Sequence, residues 1–298
     1  MPTQSKQLAA LSFCAATVPC ILLLPQAQWL WAGGATALVA VVICLASKRA
    51  MCKSRWLLWG VLAWNFVALG ATADALCAAF PDGNVLIGAL LLLLAAIAAG
   101  KGRAIVLRVG AVSLFILLIL YGMLLGFSIP EMQYTEAVKT PAWRSLSAAL
   151  TPMLCLFLRD EGENLPKSWL LGVIVLAVFA AAVTGTNSDF YTAMKSVSIL
   201  GAMERLEPLV SIALTVGGFC LLGMICCVNE KVILQLLPQK KNPTALLNFF
   251  LGAVCIWLSR LLGGAVLAIG TAIFWGVIPC LPQFLENYKK LRKNQKNA

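Results

Sequence analysis

The stretch Ser12–Pro25, SFCAATVPCILLLP, decides how this chain is read. It is apolar almost throughout, yet Thr17-Val18-Pro19 stands in its middle. Proline has no backbone N–H, and its ring clashes with the carbonyl four residues back, so helix interiors normally exclude it. A membrane-spanning segment interrupted at mid-depth calls for an explanation, because backbone groups in lipid must find partners within the protein.

The surrounding composition says that lipid is the solvent. The 298 residues are 61% hydrophobic and only 12% charged, with a mean hydropathy of +0.89. A soluble domain carries about 25% charged residues. A water-soluble helical protein would need polar helix faces that these runs lack. Apolar runs of about 20 residues recur along the whole chain, which predicts an all-α integral membrane protein. Lys6 followed by an apolar run imitates a secretory signal. No small-residue cleavage site follows, so it reads as a first retained helix.

Ten spans are expected, at roughly 8–25, 29–47, 55–79, 84–100, 103–128, 142–158, 168–185, 205–228, 244–260 and 262–282. The fourth is short, and the ninth and tenth are parted only by Ser259-Arg260. Charge supports this count. With both termini cytoplasmic, only Lys139, Arg144, Lys195, Arg205 and Arg260 of the 23 basic residues fall outside, as the positive-inside rule requires of short loops. The net charge of +11 therefore reports topology, not nucleic-acid binding. Residues 283–298 form a basic cytoplasmic tail suited to anionic lipid. Thr186–Glu204 is amphipathic and too polar to span, so it suggests an outer lid.

Several chemistries are excluded. There is no histidine, hence no His-ligated metal and no Ser-His-Asp triad. The eleven cysteines include no CxxC pair, and thiols inside apolar helices pack as small apolar groups. GKGRA at 100–104 lacks the phosphate-loop spacing. No metal site, cofactor or enzymatic function is expected.

Five spans after the first, the sixth reads SLSAALTPMLCLF, with Thr151-Pro152 at its middle. Two readings fit. Transporters built from two inverted five-helix halves place broken helices at such corresponding positions, where half-helix ends hold a ligand. Alternatively, the two prolines are independent kinks. Ionisable groups inside spans are costly and become candidates by default. Asp74 lies late in span three, with Asn65 deeper on the same helix. Arg108 lies about one turn into span five, where it either snorkels to the inner headgroups or points into the bundle. Glu204-Arg205-Leu206-Glu207 opens span eight. It complements the helix dipole or forms an ion pair at an outer gate.

TQSKQLAALSFCAATVPCILLLP with WLWAGGATALVAVVICL resembles the opening helix pair of the spore germination permeases. AAGKGRAIVLRVGAVSLFILLILYGMLLGFSIPEMQYTEAV is similar to that family's Gly-x-x-x-x-x-Arg helix and acidic external loop. MKSVSILGAMERLEPLVSIALTVGGFCLLG resembles its Glu-Arg-hydrophobic-Glu helix, and the tail after GVIPCLPQFLENYKKLRK fits as well. These are the B subunits of endospore nutrient-germinant receptors, within the amino acid–polyamine–organocation transporter superfamily. The resemblance implies a LeuT-type five-plus-five inverted repeat, with a first repeat at about 8–128 and a second at about 142–282. It implies a small nutrient, an amino acid first of all, bound between spans one, three, six and eight. The binding set would be Ala16, Thr17, Val18, Pro19 and Cys20 of one unwound segment, Ala149, Leu150, Thr151 and Pro152 of another, which extends to Met153, and Asn65. Asp74, Arg108, Glu204, Arg205 and Glu207 would serve gating or ion coupling. It further implies A and C receptor subunits as partners, in the spore inner membrane. An ion-coupled transporter of amino acids or related solutes is the alternative reading, and a ligand-free membrane scaffold a third. The first helix departs from the glycine-rich pattern of amino-acid permeases by reading Ala15-Ala16-Thr17.

Overall fold

The computed structural model describes residues 2–22, 29–46, 54–80, 85–129, 149–160, 166–184, 190, 193–194, 206–237 and 244–281. These residues are helical, with no strand among them. The helices are α1 (Pro2–Leu22), α2 (Trp29–Ala46), α3 (Arg55–Ala79), α4 (Val85–Gly100), α5 (Arg103–Ser128), α6 (Leu154–Leu158), α7 (Ser168–Thr184), α8 (Glu207–Leu236) and α9 (Thr244–Thr271). A 3₁₀ turn, Thr151–Met153, precedes α6, and a π-helical turn, Ala272–Val277, follows α9. Five stretches are long and apolar enough to cross a membrane: α1, α3, α5, α8 and Thr244–Leu281. Three shorter apolar helices accompany them, in α2, α4 and α7.

The surface carries apolar stripes of the kind that suit a lipid environment. Leu86, Leu90, Leu94 and Ile97 make one exposed stripe on α4, and Phe250, Val254, Trp257 and Leu261 another on α9. Three- and four-residue spacing puts each set on one helix face. Leaving such a side chain in water instead of hydrocarbon costs roughly 1.5–3 kcal/mol. Hydroxyls within the helices bond back to their own backbone. Ser12 donates to Leu8 O at 2.7 Å, Thr184 to Ala180 O at 2.8 Å and Thr271 to Leu267 O at 2.7 Å. That satisfies a polar group where no water is at hand.

α1 is the hub, packed against α5, α7, α8 and the 3₁₀ turn. α8 continues the core outward to α3 and α4, and α9 covers the far side of α3 and α4. α2 rests on α7. Small residues set the closest crossings, as van der Waals packing between helices in lipid favours. A methyl on Gly217 of α8 would meet Thr17 Oγ1 at 2.5 Å, and one on Gly70 of α3 would run into the backbone at Cys255 and Ile256.

The stretch Thr244–Leu281 would be about 57 Å long if straight, nearly twice the hydrocarbon core. It is not straight. Gly263 has φ 65° and ψ 155°, outside the helical region. Before Gly263, Gly252 packs near Leu69, Cys255 against Gly70, and Arg260 pairs with Asp74. After it, Gly270 packs against Trp64 and Phe274 against Gly60. The first arm therefore climbs α3 and the second descends it. The chain reverses close to the junction expected between the ninth and tenth spans. α8 runs to Leu236, about two turns beyond the expected end near residue 228, because Asn229–Leu236 stays helical.

At one end of the bundle Asp160 joins three elements. Arg103 of α5 bonds it directly, and Lys231 Nζ of α8 lies 2.8 Å from Asp160 Oδ1. The same ammonium also donates to Leu158 O at 3.2 Å and Arg159 O at 2.8 Å, closing the C-terminus of α6. Burial pushes the Asp160 carboxyl up, but Lys231 and Arg103 more than offset it and hold it below its ordinary 3.8.

Candidate functional site

The expected break in the first span does not occur. Ala16–Cys20 is continuous α-helix and fully buried. Pro19 removes one donor and leaves the Ala15 carbonyl without its usual i+4 partner. Thr17 Oγ1 donates to Cys14 O at 2.6 Å one turn below. The helix tolerates the missing rung because α5, α7 and α8 enclose it.

Around Thr17 lies a buried polar knot. The Cys14 and Cys220 thiols adjoin across the α1–α8 crossing, with Ser113 of α5 beside Cys220. Cys14 Sγ also lies 3.5 Å from Gly110 O. Tyr121 brings its hydroxyl near Thr17, yet that hydroxyl makes no hydrogen bond of sound geometry.

The second proline does mark a change of helix type. Ala149 is helical, the chain tightens into 3₁₀ geometry over Thr151–Met153, and α6 follows. Pro152 sits in the first turn of this new segment, where its missing N–H is harmless. Ala149, Leu150, Thr151 and Pro152 are all buried, and the turn packs against α1. The two proline-bearing elements thus meet, one regular and one wound tight.

A second irregular stretch joins the 3₁₀ turn. The π-helical turn Ala272–Val277 contacts the 3₁₀ turn, with Gly276 lying 3.3 Å (as a hypothetical methyl) from Leu150 Cδ2. Local π-helix widens the backbone and often accompanies functional sites. One residue before Gly276, Trp275 Nε1 donates to Asn65 Oδ1 at 2.8 Å. Asn65 is fully buried on α3, and its Nδ2 has no partner. The neighbouring Trp64 Nε1 is also buried and unpartnered, its ring stacked on Phe274 at 5.7 Å.

The structure thereby links Ala149–Pro152 to Asn65 through Trp275 and Gly276, and packs the 3₁₀ turn against α1, the helix that carries Ala16–Cys20. The sequence reading missed the π-helical turn. TAIFWGVIP carries only Gly276 and Pro279, neither of which specifies a π turn, and the partner of Asn65 is 210 residues away.

The charged candidates lie elsewhere. Asp74 is at the opposite end of α3 from Arg55, paired with Arg260. Arg108 is exposed on α5 and does not enter the bundle. The buried face of α5 is carried by Val106, Leu107 and Gly110, which turns residue 108 outward. Glu207 begins α8, with its side chain outside the described residues, as are Glu204 and Arg205. The expected outer lid also falls mostly outside them. Its described parts are buried, with Phe190 edge-on to Phe179 at 6.3 Å and Met194 Sδ accepting from Ser128 at 3.6 Å.

Another buried amide pair bridges α8 and α9. Asn229 Nδ2 donates to Asn248 Oδ1 at 2.9 Å, and Asn248 Nδ2 to Cys226 O at 3.4 Å. Its polar atoms are mostly spent on each other, so it reads as interhelical glue. Among the described residues no group of acidic or thiol side chains is arranged to hold a metal ion. No family model matches the chain, and no curated protein matches it.

Proposed function

We propose that this chain is a ten-span, permease-like protein of the LeuT type that binds a small nutrient, such as an amino acid, at mid-depth. The observation that carries the reading is the contact between the 3₁₀ turn at Thr151–Met153 and the π-helical turn at Trp275, with α1 packed on the first and Asn65 bonded to the second. A 3₁₀ turn and a π-helical turn in contact, both departing from regular α-helical bonding in a buried place, are costly unless they serve a ligand or a motion.

The packing pattern supports a five-plus-five repeat. Two inverted halves would bring counterpart spans together across their pseudo-two-fold axis. In the ten-span count, α2 and α7 are the second and seventh, α3 and α8 the third and eighth, and α4 and the first arm of α9 the fourth and ninth. Each of these pairs packs together, as does α1 with the 3₁₀ turn of the sixth span.

In this reading the protein is the membrane subunit of a spore germinant receptor. Ligand binding shifts a two-state bundle, and A and C subunits read the shift. The decisive measurement is uptake of radiolabelled amino acids into proteoliposomes, with and without an ion gradient, alongside thermal stabilisation of the purified protein. Stabilisation without uptake supports a sensor. Gradient-driven uptake replaces it with an ion-coupled transporter. Absence of both outcomes across amino acids, sugars and nucleosides removes the ligand-binding reading.

A further inference from the structure

The geometry points to Asn65 as a hydrogen-bond donor to a ligand oxygen, and so to a ligand bearing a carboxylate or another carbonyl acceptor at this place. The inference rests on the mid-depth ligand site proposed above and adds the chemistry of one contact.

An asparagine amide offers both an acceptor and a donor end, and either orientation is normally open. Here the choice is fixed. The Trp275 indole N–H can only donate, and it lies 2.8 Å from the Asn65 side chain. The oxygen of Asn65 must therefore face Trp275, and the nitrogen is left over. That nitrogen is fully buried and unpartnered. The group next to it along α3, Trp64 Nε1, is a second buried donor without an acceptor. Both missing partners are acceptors. Within a membrane-spanning bundle an unmet donor costs more than the ordinary gain from a hydrogen bond, so a group that supplies the acceptor is strongly favoured.

The same logic sets the polarity of the ligand group. A cation or ammonium cannot satisfy the free Nδ2–H, because it brings donors only, while the Asn65 oxygen already accepts from Trp275. A carboxylate or carboxamide oxygen meets the free Nδ2–H. Trp275 acts as a positioning residue, since its bond prevents the amide from turning over. Gly276, the next residue, packs on Leu150, so occupation of Asn65 acts directly on the 3₁₀ turn.

The test uses the full-length protein in detergent and follows thermal unfolding. The probes are the proteinogenic amino acids and, for each one that raises the wild-type Tm, its carboxamide and its decarboxylated amine. The acid and carboxamide should stabilise the wild type, while the amine gives no shift. Replacing both polar partners, in Asn65→Leu with Trp275→Phe, should leave the ligand-free Tm nearly unchanged, because neither side is orphaned. It should weaken the stabilising probe by about tenfold or more. Trp275→Phe alone keeps the donor but frees the amide to turn, and should weaken the probe by less. If the amine shifts the wild type as much as the acid, the inference is overturned while the ligand site survives; this arm needs no variant to fold. Undiminished affinity in the double variant overturns it in the same way. If no amino acid shifts the wild type, the inference falls, and the site falls with it when sugars and nucleosides also give no shift.

Discussion

Arg260 donates through both Nε and Nη2 to one oxygen of Asp74, at 2.8 and 2.6 Å. The guanidinium also lies 5.8 Å from the Trp257 ring, one turn earlier on α9. The pair fastens the last turn before Gly263 to α3. Both side chains are partly exposed, so the bond should be modest. We expect Arg260→Ala or Asp74→Asn to lower stability only slightly. Exchanging the charges, Asp74→Arg with Arg260→Asp, should restore part of it. Thermal unfolding in detergent decides; an unchanged Tm in Arg260→Ala would show the pair to be idle.

The reversal at Gly263 depends on a backbone conformation that side chains resist. Gly263→Ala should cost about 1–3 kcal/mol even though a methyl there meets open space. The penalty is conformational, so Gly263→Val should cost at least as much. Equal stability of wild type and Gly263→Ala would mean that the fold-back does not need this residue.

The crossing of α3 and α9 gives a sharp contrast between two glycines. A methyl on Gly70 runs into the Cys255–Ile256 backbone, which cannot swing aside. Gly70→Ala should therefore destabilise by about 1–3 kcal/mol. Gly34 on α2 has nothing within reach, and Gly34→Ala should be neutral or stabilising by up to about 1 kcal/mol. Denaturant or thermal melts of the two variants side by side test the α3–α9 contact itself; the same loss in both would refute it.

Asp160 provides a pH signature. Its folded carboxyl is held below 3.8 by Lys231 and Arg103, against the opposing effect of burial. A depressed acid stabilises the fold above its unfolded value and loses that contribution as pH falls through the folded value. Asp160→Asn should thus be less stable than wild type at neutral pH, and the gap should close in acid below about pH 4. Unfolding measured from pH 7 downward checks it. A gap that widens toward acid would contradict the sign.

The sequence was informative wherever a property is set locally. Apolar length gave the helices, and Gly263 falls close to where Ser259-Arg260 suggested a junction. Thr151-Pro152 announced a change in backbone geometry, because proline acts on its own turn. The fate of Pro19 was not legible, since the same residue type either breaks a helix or is held by its neighbours, here α5, α7 and α8. Arg108 was ambiguous for a similar reason: only the packed face of α5 decides which way it turns. Asn65 was visible as a buried amide. Its fixed orientation was not, because that belongs to a hydrogen bond across 210 residues. The π-helical turn left no local mark at all.

Gly263 has one more consequence, for the sidedness of the chain. After the reversal the second arm descends α3 past Gly60, so Leu281 comes back toward the end where α3 begins at Arg55. An uninterrupted helix would instead carry Leu281 away from that end. A single residue without a side chain thus decides which end of α3 the chain returns to by Leu281.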